Sequence, residues 1–408
     1  MSATSTFTSK LEKLRAHFDA LEPELELTVR DAALDLTGYV VVWNTTAAIG
    51  GPLGKIGKGG TRITPTLTLQ EVGMLAKTMT LKNAGAGLPL GGAKSGIRAD
   101  PNGANFEKKY RRFVQLAKHI LAEHGGPFGG FGFDVGGAPE HLVWGCDELG
   151  SSRSFTGKSL ANGGTDYDRE GIAGYGVVAA AQAYLVAHQS TLKDRTALVQ
   201  GLGAMGGAVV RYLRAEGCQI HAVSDPRIGG TITAKDVPPS LWETLLDAAA
   251  ALELNSVRER LLPYASGDPA QVLTQRADLL FPCALQGVIT SENAPMIQAS
   301  LIVEGANSPT ESAAKKILCD RAIPRIPDFI ANPGGIIAAY VEMTSPLSRE
   351  ENARTRGKTI EAKRLTQERI TENVRTMVDL SNTYGITLEE AGSYLALSRI
   401  VGGSDVHL

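Results

Sequence analysis

The sequence predicts an α/β protein of two domains around a cleft, one a doubly wound parallel sheet and the other an α/β domain completed by C-terminal helices. Three observations predict it. At 408 residues the chain exceeds what one hydrophobic core usually serves, so two domains is the simplest count. Between about 190 and 335, apolar runs of strand length alternate with helical stretches, the pattern of a parallel sheet covered by helices. From 347 onward the chain is charged and helical, in EENARTRGKTIEAKRLTQERITENVRTMVDL and EEAGSYLALSRIV; such a one-sided tail is expected to pack back on the first domain or on another subunit. The expected division is 1–185, 186–335 and 336–408.

Taken in order, 9–21 reads as an amphipathic helix and GYVVVW (38–43) as a strand that could open a sheet. LTLQEVGMLAKTMTLKNA (67–84) has helical periodicity and ends in GAGLPLGGAKSGI, which cannot continue a helix. Residues 105–124 form a further amphipathic helix, followed by PFGGFGFDVGG, and 169–188 a long alanine-rich one. In 195–225, TALVQ is a buried strand, GLGAMG a glycine turn, GAVVRYLRAEG a helix, and QIHAVSD a second strand ending in an acid. This is a Rossmann-type βαβ unit with the GxGxxG fingerprint at Gly201, Gly203 and Gly206, with Ala204 and Met205 inside it and Asp225 closing the second strand. A helix N-terminus at such a turn suits a pyrophosphate. Further strands are expected in ADLLFPCAL (277–285), SLIVEGA (300–306) and AIPRIPDFI (322–330).

Composition narrows the function. The chain is 43% hydrophobic and 21% charged with a formal net charge of −2, which speaks for a globular protein and against a nucleic-acid partner. No window approaches a membrane span and the start lacks an apolar leader, so a cytoplasmic setting is expected. Cys146, Cys218, Cys283 and Cys319 form no CxxC pair and the seven histidines show no ligand spacing, so no metal is expected and the cysteines read as buried small residues. The 46 glycines cluster between apolar segments, as loops around a cleft would.

Three lysines stand in or beside those turns: Lys58 in KGGTR, Lys82 in MTLKNAGAG and Lys94 in LPLGGAKSG. A carboxylate ligand needs fixed cations, and a lysine desolvated near other cations has its pKa lowered towards the range of a base. Asp134, enclosed by phenylalanines and glycines in GFGFDVGG, is poorly solvated and is expected to favour its protonated form, which suits a proton shuttle.

These residues resemble the glutamate, leucine, phenylalanine and valine dehydrogenases from about 51 to 340. Besides the lysine-glycine segment and the fingerprint, TGKSLANGGTDYDREGIAGYGV, ENAPMIQASLIVEGANSPT and IPDFIANPGGIIAAYVEM match family blocks in order, as do the intervals from Lys82 to Lys94 and on to Asp134. The resemblance implies oxidative deamination of an L-amino acid to a 2-oxo acid and ammonia with NAD(P), by a homo-oligomer. It implies that Lys82 holds the α-carboxylate, Lys94 activates water or the amine, and Asp134 exchanges protons with the nitrogen. Asn332 would seat the substrate backbone, and Gly59, Gly132 and Ile336 would complete the pocket. Asn307 would lie near the nicotinamide, with Ala284 also on the cofactor side.

The side-chain pocket departs from the family. Lys58 matches the lysine that reads a distal carboxylate in glutamate-specific relatives, but Ala173 and Ala339 stand at the two hydroxyl positions. Lys58 is therefore expected to meet an anionic or polar group on the substrate, or else to point to solvent. Leucine- and phenylalanine-type relatives usually carry an apolar residue at the position of Lys58, so the pocket is a hybrid. The expected substrate is glutamate or a larger polar or acidic analogue; the alternatives are an apolar or aromatic amino acid and, in another class, a catalytically silent nucleotide sensor. Asp225 would accept from a ribose 2′-hydroxyl, which tilts the expectation to NAD, while Arg227 could pair with a 2′-phosphate. Gly287 replaces an asparagine common in the family.

Overall fold

The computed structural model describes residues 3–402, so Met1–Ser2 and the last residues of the expected C-terminal segment, 403–408, lie outside the described residues. The chain divides into two compact units, Met1–Asp166 with Ile336–Ala362 and Ser393–Leu408, and Tyr167–Gly335 with Lys363–Gly392.

The first unit is built on a five-stranded mixed sheet. Its strands are β1 (Leu25–Asp31), β2 (Leu36–Asn44), β3 (Gly57–Lys58), β4 (Thr61–Thr64) and β5 (Gly91–Arg98). β1 and β2 form an antiparallel hairpin, β2 pairs antiparallel with β5, and β3 and β4 run parallel to β5 in succession. GYVVVW is apolar throughout because both faces of β2 are covered. Val40 and Val42 join a cluster with Phe113, Phe128, Phe131 and Phe155, while Tyr39 and Val41 face Leu67, Val72 and Ala76. The helix Leu69–Gly85 starts on Thr68, whose hydroxyl accepts from Glu71 N at 3.1 Å, and lies against β5. The expected 105–124 helix is shorter, Phe106–Ala117, and continues as two 3₁₀ turns that end at Gly125 with φ 87°.

The second unit holds a six-stranded sheet of β6 (Thr196–Gln200), β7 (Gln219–Asp225), β8 (Gly230–Thr233), β9 (Arg276–Pro282), β10 (Gln298–Val303) and β11 (Arg325–Ile326). The order is β11-β10-β9-β6-β7-β8, parallel except at one edge. That edge, β8, is antiparallel to β7 because the chain reverses through Pro226–Ile228, with Gly229 at φ 86° and Gly230 at φ 121°. Strand order switches direction between β6 and β9, where α/β sheets bind ligands at their C-terminal ends. Only Arg325–Ile326 of the 322–330 run is strand, since Pro327 leads directly into a helical turn, Asp328–Ala331.

The helix Ile172–Ala187 belongs to this second unit, so the first unit ends at Asp166 rather than near 185. It packs on Ala204–Ala215 through small residues, Gly174 against Ala208, with Tyr175 and Tyr212 ring to ring at 5.0 Å. The C-terminal segment is likewise divided: 336–362 and 393 onward group with the first unit, while 363–392 groups with the second. Its helices are Arg349–Thr355, Gly357–Tyr384 and Leu388–Val401.

Candidate active site

The Asp134 carboxyl is set by backbone pairing before any side chain contributes. Residues 132–135 run beside β4, with Thr61 N donating to Gly132 O and Ile63 N to Val135 O, both at 2.9 Å. That close approach needs Gly60, where a Cβ would lie 2.5 Å from Phe133 O. The pairing presents Asp134 to the side chains of β4 and β5. Its Oδ2 meets Lys94 Nζ at 2.9 Å and accepts from Arg62 Nε at 2.9 Å, and Arg62 also donates through Nη1 to Glu71 Oε1 at 3.0 Å.

This arrangement corrects the expected state of Asp134. Burial alone pushes a carboxyl up, as the sequence suggested, but Lys94 and Arg62 outweigh it and hold the group below the usual carboxylate range. Asp134 is an ionised acceptor. Lys94, buried in the central strand, is shifted down by desolvation, opposed by Asp134. The pair is therefore a buried amine held against an ionised carboxylate.

Lys58 does not point to solvent. It is 1% exposed, and its ammonium donates to three main-chain carbonyls, Gly130 O at 2.8 Å, Phe131 O at 3.0 Å and Gly59 O at 3.2 Å. An ammonium has three donors, so the cage fills all of them. Desolvation, with the charge of Lys158, brings its pKa down to about 7. Gly59 and Gly132 form the walls; a Cβ at Gly132 would lie 3.6 Å from the Lys58 Nζ. Asn83, on the helix that also carries Lys82 in its last turn, donates to Lys58 O at 3.1 Å and secures the strand.

Next to this cage lies a second charged cluster that the sequence reading did not single out. Glu342, one turn beyond Ala339 on the helix Gly334–Thr344, is buried and accepts from Thr165 N at 2.8 Å, Thr165 Oγ1 at 2.9 Å and Gly157 N at 3.1 Å. Lys158 reaches it at 3.4 Å and also donates to Ser152 O and Phe155 O. Arg62, Lys158 and Glu342 are the functional neighbours missed. Arg62 closes the quoted KGGTR and Lys158 stands in TGKSLANGG, so each had a local signal; Glu342 had only its place in the last family block. Ala339 is buried on the same helix, and Ile336 is half-buried.

In the second unit the glycine turn has the form a dinucleotide requires. Gly201 has φ 82° and abuts Ala284, Gly206 approaches Gly201 O so closely that a Cβ would clash, and Gly203 caps the helix that begins at Ala204 with open space at its Cβ position. Met205 packs by Gly305. Asp225 Oδ2 accepts from Leu202 N at 2.9 Å, which ties the acid to the turn, and Arg227 forks onto it through Nε at 2.8 Å and Nη2 at 2.9 Å. Burial works to raise the Asp225 pKa, and the bonds from Arg227 and Leu202 bring it below the usual range. Asn332 donates to Gly305 O at 2.9 Å and Asn307 Oδ1 at 3.1 Å, while its own Oδ1 is buried without a hydrogen-bond partner. Such an orphaned acceptor fits a ligand amide or amine. Ala173 packs against Gly334. Gly287 has φ 65°, a left-handed conformation that glycine and asparagine share, which accounts for the exchange between them.

Among the described residues no group of three metal-ligating side chains occurs, and no helix is long and apolar enough to cross a membrane. The four cysteines are unbridged; Cys218 and Cys283 are buried as expected, whereas Cys146 is half-buried and Cys319 is exposed.

Comparisons with known proteins identify the family. Residues 24–149 match a family described as "Glu/Leu/Phe/Val dehydrogenase, dimerisation domain", and residues 163–405 match "Glutamate/Leucine/Phenylalanine/Valine dehydrogenase". The chain is 34% identical to the NADP-specific glutamate dehydrogenase of Saccharolobus shibatae, over 70% of this chain and 67% of that protein. It is 33% identical to the NAD-specific glutamate dehydrogenase A of Halobacterium salinarum, over 72% and 66%. The solved hetero-hexameric glutamate dehydrogenase from Thermus thermophilus, in a form described as Leu bound, superposes with a TM-score of 0.74 at 25% identity, covering 97% of this chain and 95% of that one. With both family segments matched in order, the chain belongs to the glutamate/leucine/phenylalanine/valine dehydrogenase family and is an NAD(P)-dependent amino-acid dehydrogenase.

Proposed function

We propose that the chain interconverts L-glutamate, or a larger polar or acidic analogue, with its 2-oxo acid and ammonia. The observation that carries the chemistry is the Lys94–Asp134 pair, an amine whose hold on its proton is weakened by burial beside a carboxylate held ionised. The nicotinamide, when bound, accepts the hydride lost from the substrate Cα. Lys82 holds the α-carboxylate. Asp134 takes a proton from the substrate ammonium so that the nitrogen lone pair can assist hydride departure. Lys94 then takes a proton from the water that adds to the iminium carbon. Asp134 returns its proton to the nitrogen, ammonia leaves, and the hydroxyl proton and the proton held by Lys94 both pass to solvent. Asn332, with its orphaned amide oxygen, orients a donor group of the bound substrate or cofactor. Both relatives' printed names support glutamate as the first substrate to try.

The filled cage around Lys58 favours a second reading, a neutral side chain in the same reaction. For the first reading to hold, an incoming carboxylate must replace one carbonyl; Gly59 O, at 3.2 Å, makes the longest bond. NAD is taken as the preferred cofactor because the acid Asp225 closes the strand, where its charge opposes a 2′-phosphate, with Arg227 moderating that repulsion. A dimer or larger assembly through residues 24–149 accords with the description of that family segment, and a cytoplasmic setting with four unbridged cysteines.

The test is ammonia-dependent oxidation of NADH and NADPH against a panel of acidic, aliphatic and aromatic 2-oxo acids. Lys94→Ala and Asp134→Asn should each lower kcat at least ~100-fold, the low end for a lost general acid or base, with cofactor affinity nearly unchanged. Wild-type turnover in either variant would remove it from the catalytic assignment.

A further inference from the structure

Asp134 has two carboxylate oxygens, and the surrounding charges do not treat them alike. Oδ2 receives both cations, Lys94 from β5 and Arg62 from β4, each at 2.9 Å. Among the described residues Oδ1 accepts no hydrogen bond, and the side chain keeps 19% of its surface exposed. Arg62 is itself braced. Its Nη1 is held by Glu71 from the first turn of Leu69–Gly85, so the guanidinium spans Asp134 and Glu71 as a strut between β4 and that helix. Arg62 stays charged throughout the working pH range, unlike the lysine on the other side of the pair.

We infer that Arg62 is a positioning residue for the proton relay: by clamping Oδ2 from β4 it fixes the carboxylate rotamer and reserves Oδ1 for the substrate nitrogen. Lys94 cannot supply this alone. When Lys94 carries the proton taken from water it is cationic and grips Oδ2, but as the neutral amine the mechanism needs, it leaves the carboxylate without a charge partner. Arg62 supplies the constant charge that keeps Asp134 an acceptor while Lys94 cycles. The charged groups acting on Asp134 are Lys94 and Arg62, and those acting on Arg62 are Asp134 and Glu71; Lys94 also acts on Lys58, which does not act on Asp134 or Arg62. This inference rests on the reading of Asp134 as the base that deprotonates the substrate.

The test is the pH profile of kcat for amino-acid oxidation in wild type, Arg62→Gln, Arg62→Lys and Glu71→Gln. A base that must be ionised gives an acid limb, and removing a neighbouring cation raises its pKa, so the limb moves to higher pH. Arg62→Gln should shift it up by about one pH unit or more with KM for the amino acid changed less than ~3-fold, since a lost cation of this kind acts on the carboxylate rather than on substrate binding. Arg62→Lys should bring the limb back towards wild type. Glu71→Gln leaves the guanidinium more fully to Asp134, so its limb should stay or move down. An unmoved limb in Arg62→Gln, with kcat merely reduced, would show a packing role and overturn the inference; so would an upward shift in Glu71→Gln, which remains measurable if Arg62→Gln does not fold. Should Asp134→Asn retain wild-type turnover, the base assignment itself fails, a result separable from any of these.

Discussion

An ammonium desolvated by protein is tolerated only when its donors are satisfied, and at Lys58 three carbonyls do this without any carboxylate in hydrogen-bond reach. If the glutamate reading holds, Lys58→Ala should lower kcat/KM on 2-oxoglutarate at least ~100-fold and on a neutral 2-oxo acid less than ~10-fold, because a lost charge-assisted contact penalises only the substrate that used it. Equal losses would make the cage purely structural and pass the assignment to neutral side chains. Arg227 poses the matching question for the cofactor. Its fork onto Asp225 both dims that carboxylate and keeps a cation near the strand end. Arg227→Ala bares the acid, so KM for NADPH should rise ~10-fold or more while that for NADH stays within ~3-fold, as expected when only the 2′-phosphate loses a partner. A parallel change in both would show that Arg227 merely supports the β7–β8 turn. The acceptors around Lys58 illustrate why the sequence could name this lysine and not its environment. Two of the three are main-chain oxygens of residues 130 and 131, more than seventy positions away, and a carbonyl is carried by every residue type. Asp134 was legible as a candidate from its apolar enclosure, yet its charge state was not, because Arg62 reaches it across 72 positions of chain.

At the scale of elements, what carried a period or a glycine signature was readable. The strand–turn–helix–strand of 196–225 stands where GLGAMG placed it, and GYVVVW is a strand buried on both faces. β1 was missed although LELTVRD alternates, since it is polar on one face and pairs along one side only. The reversal that makes β8 antiparallel lies in Gly229–Gly230, and paired glycines announce a turn without announcing its direction. The helix Ile172–Ala187 offers a prediction at this scale. Gly174 sits so close to Ala208 that a Cβ would lie 2.6 Å from the Ala208 Cβ and 2.9 Å from Met205 O. Overpacking here cannot be relieved by a rotamer change, so Gly174→Ala should destabilise the second unit by ~1–3 kcal/mol. Because the displaced helix is the one that opens at the fingerprint, cofactor KM should rise in the same variant. Unchanged thermal unfolding would show that the two helices separate freely.

For the molecule as a whole, the family resemblance and the two-unit architecture were available from ordered blocks and alternating elements, whereas the division of the C-terminal segment between units was not. Residues 336–362 and 363–392 are both helical and charged, and the sequence holds no mark of which unit each would join. Their placement puts Glu342 beside Lys158 and within electrostatic range of Lys58, so a segment distant in the chain helps to set the charge held inside the first unit. That charge has a consequence for stability. In the unfolded chain a lysine holds its proton up to its ordinary value of 10.5, but in the folded protein Lys58 releases it at about 7. Between those limits the unfolded state binds more protons, so stability contributed through this residue rises with pH. Below about 7 both states are protonated and the full cost of the buried charge is carried, with no further pH dependence from Lys58. Lys58→Met removes the titration while keeping most of the volume. The difference in unfolding free energy between variant and wild type should therefore be flat below pH 7 and move in favour of wild type by up to ~1.4 kcal/mol per pH unit above it. Thermal unfolding of the two proteins side by side from pH 6 to 10 reads this directly. A difference that does not change across the range would mean that Lys58 enters its cage without losing affinity for its proton, the three carbonyls then compensating fully for the water it left.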